Sequence, residues 1–162
     1  AKHGVYFKPD PNRILKNSVL STNKIIEAKY LIKDKKIVGY KTGLYFANKI
    51  GLTSQMASVE SIVSNNVSNR KRSVNINNTR VIVNAPRVIV TNDNYKLLQV
   101  LDLINDFKKM SEFTLTEALP TIINYLNGVK LTKKQIVTCV DAYPLATQVT
   151  FYKMGVLNEK IT

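Results

Sequence analysis

Side chains able to hold a metal or attack a substrate are scarce in this sequence. It contains one histidine, His3, and one cysteine, Cys139. A structural zinc or iron–sulfur site needs several such ligands close together, so the count excludes one. Nucleophilic catalysis through a Ser–His–Asp or Cys–His arrangement would have to use His3, which stands near the terminus of the chain. Cys139 reads as a small core residue on its helix. Hydrolysis of nucleic acid with Mg²⁺ calls for an acid on one strand followed by acid-x-Lys on the next. Glu60 is the one acid within the strand-like runs, and no acid-x-Lys follows it there. The segment Gly39-Tyr40-Lys41-Thr42-Gly43 has two glycines but lacks the Gly-Lys-Ser/Thr ending of a phosphate-cradling loop. These glycines read as shaping the turn into a helix. No catalytic residue, metal or cofactor is expected from these residues.

Cations are the abundant chemistry. The chain carries a formal charge of +13, unevenly distributed. Residues 1–90 hold 16 Lys and Arg against Asp10, Glu27, Asp34 and Glu60, a net of +12, whereas residues 91–162 hold eight against seven acids, a net of +1. Such a field attracts polyanions, of which nucleic acid is the commonest. A Lys- and Asn-rich composition also arises without any polyanion partner, but it does not account for the asymmetry. The cluster Arg70-Lys71-Arg72, with Arg80 and Arg87 at the starts of the following runs, is the candidate nucleic-acid-binding set, since phosphate contacts need positive donors near the backbone. The same charges on a hairpin also serve as a solvated edge that discourages aggregation. Aromatic stacking on single strands is poorly supported, because Tyr40, Tyr45 and Phe46 read as one core-facing helix surface.

The elements that carry these residues are legible from pattern. Residues 23–32 form a helical stripe with Thr22 or Asn23 as N-cap. Leu44, Ala47 and Ile50 recur at three-residue steps, predicting a short helix ended by Gly51. Four β-branched runs follow, at 59–63, 72–76, 80–83 and 87–90, with Asn77-Asn78 as a tight hairpin turn. They predict a mainly antiparallel sheet of about four strands. A helix is expected from Asn94 to Met110, with Leu97, Leu98, Leu101, Ile104 and Phe107 on one face. Thr114-Leu115-Thr116-Glu117 and Thr132-Lys133-Lys134-Gln135 match capping boxes and begin helices at roughly 115–127 and 133–142. Pro144 precedes a last helical segment to Leu157. The fold class is therefore α+β, with flanking helices and a C-terminal helical bundle. Hydrophobic residues make up 44% of the chain, enough for a core, and no run approaches the roughly 18 apolar residues of a membrane helix. Without an apolar run after Ala1, and with a lone cysteine, a cytoplasmic location is expected.

Four stretches together resemble the AbiEi-type antitoxins, winged-helix regulators of bacterial type IV toxin–antitoxin, or abortive-infection, systems. Gly4-Val5-Tyr6-Phe7-Lys8-Pro9 resembles the end of their wing. Gly39-Tyr40-Lys41-Thr42-Gly43-Leu44 through Gly51-Leu52-Thr53-Ser54-Gln55 resembles their hallmark segment. Thr91 through Leu101-Asp102 is similar to the strand-to-helix step that follows, and Tyr143-Pro144-Leu145-Ala146-Thr147 to a C-terminal motif of a closely related branch. The resemblance implies a C-terminal domain with the wing remnant at 1–9, an α+β core at 10–110 and a helical subdomain at 111–162. It further implies a non-enzymatic partner of DNA, which the full protein grips through an N-terminal winged helix absent here, and of a nucleotidyltransferase toxin. Two alternatives stand beside it. One is a restriction-endonuclease-like nuclease using Glu60 with a partner such as Asp34. The other is a protein–protein interaction domain docking through residues 114–157.

Overall fold

The computed structural model describes residues 20–157. His3, the wing-like residues 1–9 and the following stretch to residue 19 lie outside the described residues. The chain folds into an α+β structure with one four-stranded sheet, one two-stranded sheet and helices on both faces of the larger sheet.

Helix α1, Thr22–Ile26, runs on into a π-helical turn, Glu27–Leu31. Its N-cap is Ser21, one residue before those expected, whose hydroxyl accepts from the Lys24 N–H at 3.4 Å. A small hairpin follows, β1 (Ile32–Lys33) and β2 (Lys36–Ile37), turning through Asp34 and Lys35 at φ of 50° and 62°. Then come β3 (Gly39–Thr42), α2 (Leu44–Lys49), β4 (Glu60–Ser64), β5 (Arg72–Ile76) and β6 (Thr79–Asn84). Helix α2 ends as the spacing predicts, with Gly51 at φ 82°, where a side chain would be strained. Asn77 and Asn78 turn the β5–β6 hairpin at φ of 48° and 63°, the left-handed pair that a two-residue hairpin loop requires.

The large sheet has the order β3-β4-β6-β5. Two of its three pairings are antiparallel, as expected, but β4 and β6 run parallel, with Ile62 beside Val83. A second difference concerns the fourth strand. The run Arg87-Val88-Ile89-Val90 is not a strand, and Gly39–Thr42 takes the fourth place. Side-chain amides explain this. Asn65 donates to the Val90 carbonyl and accepts from its N–H, both at 2.8 Å, while Asn94 donates to the Ile89 carbonyl and accepts from the Thr91 N–H. With the Val90 N–H and carbonyl and the Ile89 carbonyl taken by side chains, this end of the segment has no such groups left for a strand partner. At the other edge, a Cβ on Gly39 would lie 2.1 Å from the Tyr30 carbonyl oxygen and 2.6 Å from that of Val63. The glycine thus lets β3 close between the π-helical turn and β4.

Strand alternation splits the burial into two clusters. Ile62, Ile76, Val81 and Val83 pack under Ile26 and Tyr30 on one face. Tyr40 and Val63 join the other cluster, with Phe46, Leu98, Leu101, Ile122, Val140 and Phe151. This second cluster is continuous from Tyr40 to Val156 and so crosses residue 110. Its centre is α3, Tyr95–Asn105, which is buried nearly all round rather than along one stripe. The helix expected to reach Met110 breaks at Asp106, and Phe107–Met110 forms a separate turn, α4. Helices α5 (Leu115–Tyr125) and α6 (Lys133–Asp141) both begin with complete capping boxes, and α7 (Leu145–Lys153) follows Pro144. Among the described residues no helix is long and apolar enough to cross a membrane.

Candidate functional site

Where the α3-facing side of the sheet pulls away from the helices, a cleft of about 590 Å³ opens between β4, the exit of β6 and α3. Its floor is a carboxylate flanked on α3 by Leu101, Leu103 and Ile104. Asp102 follows Leu101 and precedes Leu103 and Ile104, and α3 turns it toward the sheet. Tyr40 and Thr42, two residues apart on β3, share a face. Both hydroxyls donate to Asp102 Oδ2, at 2.9 and 3.2 Å. Tyr143, just past the end of α6, donates to Oδ1 at 2.7 Å and also lies 3.3 Å from the Leu98 carbonyl. One carboxylate therefore ties together a strand, the central helix and the α6–α7 junction.

The electrostatics follow from burial. Removal from water pushes the Asp102 carboxyl above its ordinary range, while the three hydroxyl donors and the Arg87 charge pull it back down. Burial, then the neighbouring Asp102 charge, raises Tyr40 and Tyr143, so both phenols stay protonated and donate.

The rim is cationic. Arg87 Nη1 lies 3.5 Å from the Ala142 carbonyl, and the guanidinium sits 5.0 Å over the Tyr143 ring. Arg70 reaches the same cleft from the β4–β5 connection. The Ala85 N–H donates to the Asn69 carbonyl at 3.0 Å, which fastens the residue before Arg70 to a point two residues before Arg87. Chain positions 17 apart are thereby delivered to one rim.

Of the five cations singled out by sequence, the fold brings these two together and separates the others. All five are exposed. Arg80 lies opposite Asn75 on the same sheet face as the cleft, its Nε donating to Ser73 Oγ at 3.1 Å. Arg72 is paired with Val83 and so belongs to the opposite face, with Lys71 just before it. Arg72 and Arg80 do stand at opposite ends of their hairpin, as the turn position predicts. Among the described residues none of the five makes an ion pair; the sole pair is Lys41–Glu60 at 2.9 Å.

That pair fixes the surroundings of Glu60. Lys41 Nζ also donates to Asn23 Oδ1 at 3.0 Å and lies 4.4 Å from the Tyr45 ring centre. Asp34 stands apart in the exposed β1–β2 turn. Among the described residues no group of three or more His, Cys, Asp or Glu is placed to hold a metal ion. Cys139 is buried, with burial raising its thiol.

No family model, curated protein or solved structure matches this chain. The site is defined by its own geometry.

Sequence reading named the arginines and missed the floor. The pattern puts Tyr40 on a helix face, whereas it lies on β3, which aims it at Asp102. The usable signal was Asp102 itself: a lone acid inside Leu97–Ile104, where every neighbouring position is apolar or amide, must find donors if the helix is central.

Proposed function

We propose that this chain is a non-enzymatic binding module of a bacterial, cytoplasmic regulator built like the AbiEi-type antitoxins, and that it contacts nucleic acid through phosphate. The observation that carries this reading is the convergence of Arg70 and Arg87 on one cleft rim, neither of them held in an ion pair among the described residues. Guanidinium groups not held in an ion pair are available to phosphate oxygens. The +12 charge of residues 1–90 supplies the long-range attraction, and Arg80 extends the positive surface along the same sheet face. The family-like segments at 39–55, 91–102 and 143–147 support the antitoxin assignment.

Fluorescence anisotropy with duplex DNA tests the nucleic-acid part. Binding is expected at about 50 mM salt and falls steeply by about 200 mM, as counterion release requires. Replacing Arg70, Arg80 and Arg87 together with Gln should lower affinity and flatten the salt slope. Absence of binding at the lower salt overturns it.

A second reading, a protein-interaction surface, is favoured by α7. Leu145, Val149 and Tyr152 recur at helical spacing and are 73%, 42% and 42% exposed. In the antitoxin reading their partner is the nucleotidyltransferase toxin. Co-expression with a neighbouring nucleotidyltransferase, with and without Val149→Lys, tests it: loss of co-purification supports this surface, and unchanged co-purification removes it.

A further inference from the structure

The cleft has more structure than backbone-phosphate contact requires. A protein that only grips a polyanion needs cations on an open surface, whereas here the arginines border a concave space of about 590 Å³. That volume falls within the roughly 300–1,000 Å³ of small-molecule sites. Its lining sets the guanidinium groups of Arg70 and Arg87 beside the carboxylates of the half-buried Asp102 and the exposed Asp106.

Hydrogen-bond accounting shows what the floor can still accept. A carboxylate offers about four acceptor positions. Tyr40 and Thr42 occupy Oδ2, and Tyr143 takes one position on Oδ1. One position on Oδ1 remains, and Asp102 borders the cleft. Nearby, Asn105 accepts from the Thr147 hydroxyl through its Oδ1 at 2.8 Å, which leaves its NH₂ for a ligand. Asp106 also borders the cleft, adding a second acceptor for ligand donors and disfavouring an occupant that is anionic throughout. Tyr40 and Tyr143 are each only 4% exposed, so neither ring offers a stacking platform. Recognition here is by hydrogen bonds and charge.

These requirements select a small molecule that is anionic at one end and rich in N–H or O–H donors at the other. We propose that the cleft holds one nucleoside monophosphate unit, with its phosphate between Arg70 and Arg87 and a sugar or base donor at Asp102. Inorganic phosphate satisfies only the rim, and an uncharged nucleoside only the floor. The unit is either a free nucleotide or the phosphorylated end of a strand. The inference goes beyond the regulator reading above and shares with it only the assignment of Arg70 and Arg87 to phosphate.

Isothermal titration of the chain with adenosine and uridine monophosphates, adenosine, uridine and inorganic phosphate tests this. Saturable one-site binding of a monophosphate is expected, tighter by about tenfold or more than either of its parts. Arg70→Gln and Arg87→Gln should each weaken it by at least about tenfold, since a charge-assisted bond to phosphate is lost. Ser61→Leu, which intrudes on the cleft and keeps both arginines, should also weaken binding, with circular dichroism confirming that each variant is folded. Absence of saturable binding overturns the proposal, as do equal affinities for nucleoside and nucleotide, or binding indifferent to all three substitutions. A short single strand with a terminal phosphate that outcompetes its dephosphorylated form identifies a strand end as the source. Two equally weak strands beside a well-bound nucleotide identify the free molecule. Duplex binding without nucleotide binding removes the pocket and leaves the nucleic-acid reading, whereas nucleotide binding without duplex binding does the reverse.

Discussion

The two faces of the central sheet solve opposite problems with the same strands. Under α1 the centre of the face is dry: Ile62, Val81 and Val83 are fully buried against Ile26, and the polar fastenings sit at its margin, among them the Ser64 hydroxyl donating to the Tyr30 carbonyl at 2.6 Å and Lys41 donating to Asn23 at 3.0 Å. On the α3 side, one residue out of phase, the strands present Tyr40, Thr42, Ser61 and Asn84 around a half-buried acid and an open cleft. The first face gains its free energy by removing apolar area from water. The second partly desolvates Asp102 and compensates it with three hydroxyl donors, an arrangement whose net stabilising value is small and whose cost when broken is large. A period of two residues is enough to place a stabilising layer and a binding layer on one sheet.

The comparison breaks most readily on the dry side. Ile62→Ala should destabilise the chain by about 2–5 kcal/mol, because it leaves a cavity that rigid strands cannot close. Urea unfolding followed by circular dichroism measures this, and a loss below about 1 kcal/mol would show that the α1 layer is not a close-packed core.

On the wet side the effects are smaller. Tyr143→Phe removes one donor to Asp102 and should cost about 1.5–3 kcal/mol, the range for a hydrogen bond to a charged group. If it is neutral, the tyrosine is not holding the carboxylate.

Acid titration separates the faces further. The folded-state value of Asp102 is raised, so over the window between the ordinary carboxylate range and that raised value the folded chain binds the proton and the unfolded chain does not. Stability from this group therefore rises as pH falls through the window and declines as pH rises through it. The Glu117 carboxylate works in the other direction, lowered by the Thr114 N–H and hydroxyl, so its contribution is lost as pH falls. Comparing the stability–pH curves of the wild type and Asp102→Asn isolates the first effect. Curves that stay parallel through this range would mean that Asp102 is not desolvated.

The smallest change belongs to the rim. Arg87→Gln gives up an exposed cation–π contact with Tyr143, worth about 0.5–1 kcal/mol, and should barely move the unfolding midpoint. A loss much larger than this would make Arg87 a structural residue rather than a ligand-facing one.

Local chemistry carried most of the elements into view. The capping threonines Thr114 and Thr132 start their helices because hydroxyl and N3 side chain act within four residues. Asn77 and Asn78 turn the hairpin because left-handed backbone is a property of those residues. Gly51 ends α2 for the same reason. The run 87–90 misled because β-branched composition is a property of the segment, whereas strand formation needs a partner. Asn65, 25 positions away, took that role instead.

The site divides in the same way. From residue order alone came the cation-rich first half, the near absence of metal ligands, the α+β class and the names Arg70 and Arg87. Charge and hydropathy are carried by each residue wherever it lies. Tertiary structure decided that β4 runs parallel to β6, that Arg70 and Arg87 share a rim while Arg72 faces away, and that Tyr40, Thr42 and Tyr143 meet on Asp102 across 41 to 62 positions of chain. Those outcomes depend on which surfaces are buried together, and burial is a property of the whole packed chain rather than of any segment of it.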